Sequence, residues 1–184
     1  YIDELRSALG VLGYISRYIL QYGYFSYWLL NLIDKFKGKE RLIWDNESNQ
    51  AWDAFMYLVE NAPILYSPTI DGKFAVKSDA CIYAWGGVLY QRQYDEKLKQ
   101  WLWRIIDMWS QIMPKLMRKN HCKLHEAYGF AKLIQHWTVY LIRAPFIVST
   151  DHKSLLQLFK PHYDLSPPIY RRLLRIRLSV AEYD

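Results

Sequence analysis

"FAVKSDACIYAWGGVLYQ", residues 74–91, alternates apolar and polar side chains, reaches an aspartate at position 79 and then turns through Trp-Gly-Gly. Residues 146–156, "FIVSTDHKSLL", open on the same six-residue template: Phe, any residue, Val, any residue, Ser or Thr, Asp. Alternation with a period of two predicts a strand at each place. A strand, a crossover that contains a helix and a second strand in the same direction predict a parallel pair. If the two templates pair directly, at a spacing of about 4.8 Å, Asp79 and Asp151 stand side by side at the carboxyl ends of their strands, where open α/β sheets carry their sites. Two carboxylates that close repel each other unless a cation lies between them. A hard cation with oxygen ligands fits, Mg²⁺ above all.

A third acid comes from the segment between the templates. From Asn120, read as an N-cap, about 18 residues carry helical periodicity, as a helix of roughly five turns requires. Glu126 heads a stripe with Phe130, Leu133 and Trp137, and a second stripe holds Leu124, Ala127, Tyr128, Ala131 and Ile134. A helix apolar on two sides is buried, so Glu126 points inward, where an isolated carboxylate is costly. Alone, a glutamate near a helix start is explained by the helix dipole; with two inward aspartates nearby, a metal site gains. His121 and His125, one turn apart, have a zinc-compatible spacing but no third ligand placed to join them. His152 directly follows Asp151.

Around this core the chain divides. Residues 3–33 have apolar positions at helical spacing, with Gly23 expected to break them into two helices. A polar connector, "KFKGKERLIWDNESNQ", leads to a helix from Ser48 that stops before Pro63. The turn-rich "SPTIDGK" marks a boundary near residue 70, giving a helical connector over 1–70 and an α/β unit over 71–184. Strands follow at 73–79, 85–91 and "WLWRIIDM", with "RQYDEKLKQ" read as the loop before the third. Beyond the second template come a short helix from His152, the loop "KPHYDLSPP" and a basic helix with Arg171, Arg172, Arg175 and Arg177.

The 184 residues are 52% hydrophobic, ample for a core, and 17% aromatic, with 16 Tyr and 8 Trp. A net charge of +6 favours a polyanionic partner. Two cysteines, Cys81 and Cys122, form neither a disulfide framework nor a zinc spacing. "YISRYILQYGYFSYWLLNLI" is interrupted by Arg17 and Gln21 and is not read as a membrane span. Tyr14, Tyr18, Tyr22 and Tyr24 are read as core or interface rather than as stacking residues. With no signal-peptide pattern, an intracellular setting is expected (cytoplasm, nucleus or element particle), and the chain reads as a piece of something longer.

The order "SDACIYAWGGVLYQ", "HEAYGFAKLIQHWTVYL", "FIVSTDHKSLLQL" and "RRLLRIRLSVAEYD" resembles the ribonuclease H domain of gypsy-type retrotransposons and plant pararetroviruses. "LRSALGVLGYISRYI" and "WDNESNQAWDAFMYLVENAPIL" resemble the segment that joins the polymerase palm to that domain. The resemblance implies a ribonuclease H-like mixed sheet with flanking helices, its final strand missing, preceded by a small helical connector. It implies metal-dependent cleavage of RNA in an RNA–DNA hybrid, with Mg²⁺ (Mn²⁺ as an alternative) held by Asp79, Glu126 and Asp151. Arg171, Arg172 and Arg175 are the expected phosphate contacts. Cys81 stands where the family has serine and Ile176 where it often has tryptophan, both read as packing changes. The family's fourth acid follows the final helix, beyond Asp184, so this piece alone is expected to cut feebly. The rival readings are a non-catalytic ribonuclease H-like scaffold that binds nucleic acid or a partner polymerase subunit, and an inactive remnant. Oligomeric state is not legible in the sequence.

Overall fold

Alternation from Phe74 onward becomes a sheet in the computed structural model, which describes residues 1–36, 41–142, 144–150, 171, 174–176 and 178–180. β1 (Phe74–Ala80), β2 (Ala84–Asp95), β3 (Gln100–Ile112) and β4 (Phe146–Ser149) form one four-stranded sheet in the order β3-β2-β1-β4. β1 pairs antiparallel with β2, and β2 with β3, whereas β1 and β4 run parallel. The sheet is therefore mixed, as the resemblance implies. A bulge between Leu89 and Tyr90 interrupts the β2–β3 ladder.

The helix α5 (Cys122–His136) covers one face of this sheet. Its two apolar stripes are buried but for a half-buried Tyr128, and Ala127, Phe130, Ala131, Leu133 and Ile134 join the main core with Val76, Trp85 and Leu89. Truncating Phe130 or Leu133 to alanine would cost about 3–5 kcal/mol, from lost burial and the cavity left behind. The short helices α4 (Lys115–Arg118) and α6 (Thr138–Leu141) flank α5 at its two ends. Among the described residues of the basic stretch, Arg171, Leu174, Arg175, Ile176 and Leu178 are helical, and Val180 is buried in the same core.

The N-terminal helices build a second cluster. α1 (Ile2–Tyr14) buries Ile2, Leu5, Leu9 and Leu12 against α2 (Tyr22–Lys35) and α3 (Asn46–Glu60), with Phe55 at the centre. Asp45 caps α3 by accepting from the Ser48 amide at 3.0 Å. The hydrogen bonds from Ser48 and Lys35 lower its pKa to about 2. No helix among the described residues is long and apolar enough to cross a membrane.

Three sequence expectations are corrected. Gly23 does not separate two helices: the break is a 3₁₀ turn (Ser16–Tyr18) followed by Gln21, the N-cap of α2, whose φ of 59° is left-handed. Gly23 lies in the first turn of α2 because its backbone meets β3; a Cβ there would come within 2.4 Å of the Gln111 carbonyl carbon. "RQYDEKLKQ" is mostly strand, with the turn confined to residues 96–99. Its charges are accommodated by pairing along the hairpin, where Arg104 meets Asp95 and Arg92 lies over Trp101. Finally, α5 has 15 residues and is capped by His121, which accepts from the Lys123 amide. The Asn120 side chain instead donates to the Met117 carbonyl and closes α4.

Candidate active site

The two six-residue templates are neighbours in register. Phe74 pairs with Phe146, Ala75 with Ile147, Val76 with Val148 and Lys77 with Ser149. Asp79 follows at the carboxyl end of β1, opposite Gly86 of β2. Asp151 lies outside the described residues, as do His152, Arg172 and Arg177.

Strand alternation decides where Asp79 faces. Val76 and Ser78 are buried, and Ser78 pairs with Gly87, whose missing side chain lets Leu133 of α5 approach; a Cβ would sit 2.5 Å from its Cδ1. Asp79 therefore belongs to the other face, and it is exposed there. That face forms one wall of an open cavity of about 410 Å³, lined on another side by Ile19, Leu20, Gln21 and Tyr24 of the helical segment. Lys77 and Ser110 also line it.

Glu126 is a buried residue of α5, the helix that packs on the sheet. The residue is 2% exposed and heads the buried stripe that continues through Phe130, Leu133 and Trp137. One turn on, Gly129 packs directly against the strand end, where a Cβ would lie 2.9 Å from that of Trp85 and 3.4 Å from that of Ala80. The close approach follows from glycine at 129, and it carries the Glu126 turn of the helix toward the residue after Asp79. Asp79 thus ends β1 on the face turned away from α5, and Glu126 lies in the buried turn of α5 just before Gly129. Among the described residues, no three His, Cys, Asp or Glu side chains gather as a metal cluster.

The histidines have structural partners. His125 is buried, with Nε2 2.8 Å from the Met117 carbonyl, while His121 serves as the helix cap. Arg171 and Arg175 are exposed. Of the four tyrosines, Tyr22 packs edge-on against Phe55, whereas Tyr14, Tyr18 and Tyr24 are exposed.

A polar junction that the sequence reading missed lies at the other end of α5. Asp107 of β3 is buried, accepts from Trp137 Nε1 at 3.0 Å and pairs with Arg17 at 3.3 Å. His136 lies 3.6 Å from the same carboxylate and stacks on Trp109. Burial alone would raise the Asp107 pKa, but His136, Trp137 and the Arg17 charge outweigh it and hold the carboxyl below its ordinary value. The only sequence signal was an aspartate inside the apolar run "WLWRIIDM".

A mixed sheet in the order β3-β2-β1-β4 with a buried helix behind it defines a ribonuclease H-like architecture. The family of RNase H-like domains found in reverse transcriptase matches residues 69–183, and the chain belongs to that family. It is 26% identical over 183 residues to the Transposon Tf2-3 and Tf2-4 polyproteins of Schizosaccharomyces pombe (strain 972 / ATCC 24843). That match takes in 98% of this chain and 13% of each polyprotein, so the chain spans a small part of the curated relatives it matches. In fold it is similar to the foamy viral protease-reverse transcriptase solved with an RNA/DNA hybrid, with a TM-score of 0.65, 15% identity, and coverage of 97% of this chain and 23% of that one. The same enzyme solved with double-stranded DNA matches at a TM-score of 0.65 and 16% identity, over 94% of this chain and 35% of that one.

Proposed function

We propose that this chain forms part of a retroelement reverse transcriptase and supplies the site that hydrolyses RNA in RNA–DNA hybrids. The observation that carries the proposal is the register of β1 and β4. Four described pairs run without a slip from Phe74–Phe146 to Lys77–Ser149, and the same register continued by two residues would bring Asp151 beside Asp79. Membership of the ribonuclease H-like family and the hybrid bound by a structural relative support the same reading.

Asp79, Glu126 and Asp151 are the proposed ligands of a divalent cation, Mg²⁺ with Mn²⁺ as an alternative; carboxylate oxygens suit such hard ions. When bound, the ion supplies activation of water and charge stabilisation at the leaving oxygen. The residues themselves supply orientation. Asp79 is exposed on the sheet face, where a scissile phosphate has access, and Glu126 is fixed in the packed stripe of α5. Arg171, Arg172 and Arg175 are proposed to contact phosphates, and recognition is by backbone and A-form shape rather than by sequence. The rest of the polymerase polyprotein is the proposed physical partner, and the setting is intracellular.

One observation favours a second reading, a non-catalytic scaffold. The helical segment walls the cavity beside Asp79 and so takes up part of the sheet face that a hybrid would have to approach. Cleavage of an end-labelled hybrid with Mg²⁺ or Mn²⁺ separates the two. The 184-residue chain alone should cut weakly or not at all, a chain extended beyond Asp184 should cut, and Asp79→Asn in the extended chain should abolish cutting. An extended chain inert with both metals would establish the scaffold.

A further inference from the structure

We propose that the outer half of the β2–β3 hairpin is a stacking platform for unpaired nucleic acid, on the same sheet face as Asp79. Arg92 pairs with Trp103, and Tyr94 with Trp101. Cross-strand partners share a face, as do residues two apart in one strand, so all four side chains lie on one side of the hairpin. All are exposed: Trp101 by 54%, Trp103 by 45% and Tyr94 by 43%, with Arg92 beside them.

The reverse side of the hairpin is braced. Buried Gln91 accepts from the Thr69 amide at 2.8 Å and donates to the Thr69 and Gly72 carbonyls, while Gln93 donates to the Ser67 carbonyl. Arg104, also on that side, pairs with Asp95 and lies over the Tyr66 ring. The joint before β1 therefore fastens one face and leaves the aromatic face open. A rigid support under exposed rings is what a stacking platform requires, because bases then meet surfaces already in place.

The chemistry favours nucleic acid as occupant. The four side chains are three aromatics and a guanidinium, with no aliphatic among them, and every base presents a π-face to such groups. The Arg92 guanidinium lies 5.6 Å from the Trp101 ring centroid and has no carboxylate partner among the described residues. The carboxylates of the tip are engaged elsewhere, Asp95 with Arg104 and Glu96 with Lys99. Tyr94 meets Trp101 edge-on, at 65° between planes, so the two rings are not stacked on each other. The two cross-strand rows stand about 7 Å apart along the strands, room for two splayed bases. Bases inside a duplex are already stacked on one another, so the occupant is an unpaired strand.

The platform is continuous with the proposed site. Val88 and Tyr90 line the Asp79 cavity, and Arg92 and Tyr94 follow on the same face of β2. From Gly86, the partner of Asp79, to Arg92 is roughly 20 Å of strand. The inference rests on the hybrid-cleaving reading for its biological use, since a hybrid end supplies unpaired strand.

The test is anisotropy of a labelled oligothymidylate of about 12 nucleotides, with a blunt RNA–DNA hybrid as comparison. Trp101→Ala combined with Trp103→Ala should weaken oligonucleotide binding about tenfold or more and leave blunt-hybrid binding within about twofold. Trp101→Phe, which keeps a ring, should retain most of the affinity, and Arg92→Gln should lower it. Unchanged oligonucleotide affinity in the double variant overturns the proposal. So does equal weakening toward the blunt hybrid, or sedimentation showing that these side chains join two copies of the chain. Binding is read without cleavage, so a failed nuclease assay with intact oligonucleotide binding would remove the enzyme reading and leave the platform.

Discussion

Phe74 of β1 and Phe146 of β4 stand side by side as partners in a parallel ladder, each the first residue of the same template. Since parallel strands keep register by constant offset, an offset of 72 residues holds through Lys77 and Ser149. The two template aspartates differ by that same offset. On this relationship rests the proposal that Asp79 and Asp151 share a cation.

The cation should be visible in stability as well as in cleavage. A ligand that binds only the folded chain raises its melting temperature by mass action. Mg²⁺ should therefore raise the Tm of the extended chain, and Asp79→Asn and Glu126→Gln should each remove most of that increase. An equal Mg²⁺ response in both variants would exclude these carboxylates as ligands.

Gly129 should tolerate no large side chain. With Trp85 and Ala80 already touching the place a Cβ would take, Gly129→Val overpacks the contact between α5 and the strand end. The expected loss is about 2–3 kcal/mol, read by urea denaturation, with Mg²⁺ affinity falling as the Glu126 turn is pushed away. Unchanged stability would show that α5 does not pack as described.

Asp107 gives a pH signature. Its folded pKa lies below the unfolded value, so the stability it contributes is present above the unfolded pKa of about 3.9 and is lost as pH falls through the folded one. In acid titrations of stability, Asp107→Asn should flatten the wild-type loss in that range. At neutral pH the same variant should be less stable by about 0.5–1 kcal/mol, because Arg17, half exposed, loses its anionic partner. A parallel pair of curves would show that the carboxylate charge is not what joins Arg17, β3 and the end of α5.

The arginines should appear in salt dependence. Replacing Arg171, Arg172 and Arg175 with alanine should weaken hybrid binding and lower the slope of log K against log salt by about one unit for each lost phosphate contact. A slope equal to wild type would make Arg171 and Arg175 solvated residues of a helix surface.

Local periodicity by itself determined the cores of the strands, the parallel pairing of the two templates and the burial of α5. The two templates announced their pairing because side chains alternate with a period of two, so equal phase means equal face. The stripe from Glu126 to Trp137 announced a buried carboxylate because helical spacing lines those residues up. Tertiary structure decided what spacing cannot encode. Gly23 reads as a helix breaker but is a contact with Gln111, since only a neighbouring backbone creates the need for a missing Cβ. "RQYDEKLKQ" reads as a loop but is mostly strand, because its charges find partners across the hairpin. Arg17, Asp107 and Trp137 are far apart in sequence and meet only when the helical segment docks on β3 beside the end of α5. That docking also sets Asp79 in a cavity and leaves Trp101 and Trp103 in the open, because a sheet has two faces and the chain packed against each decides which is covered.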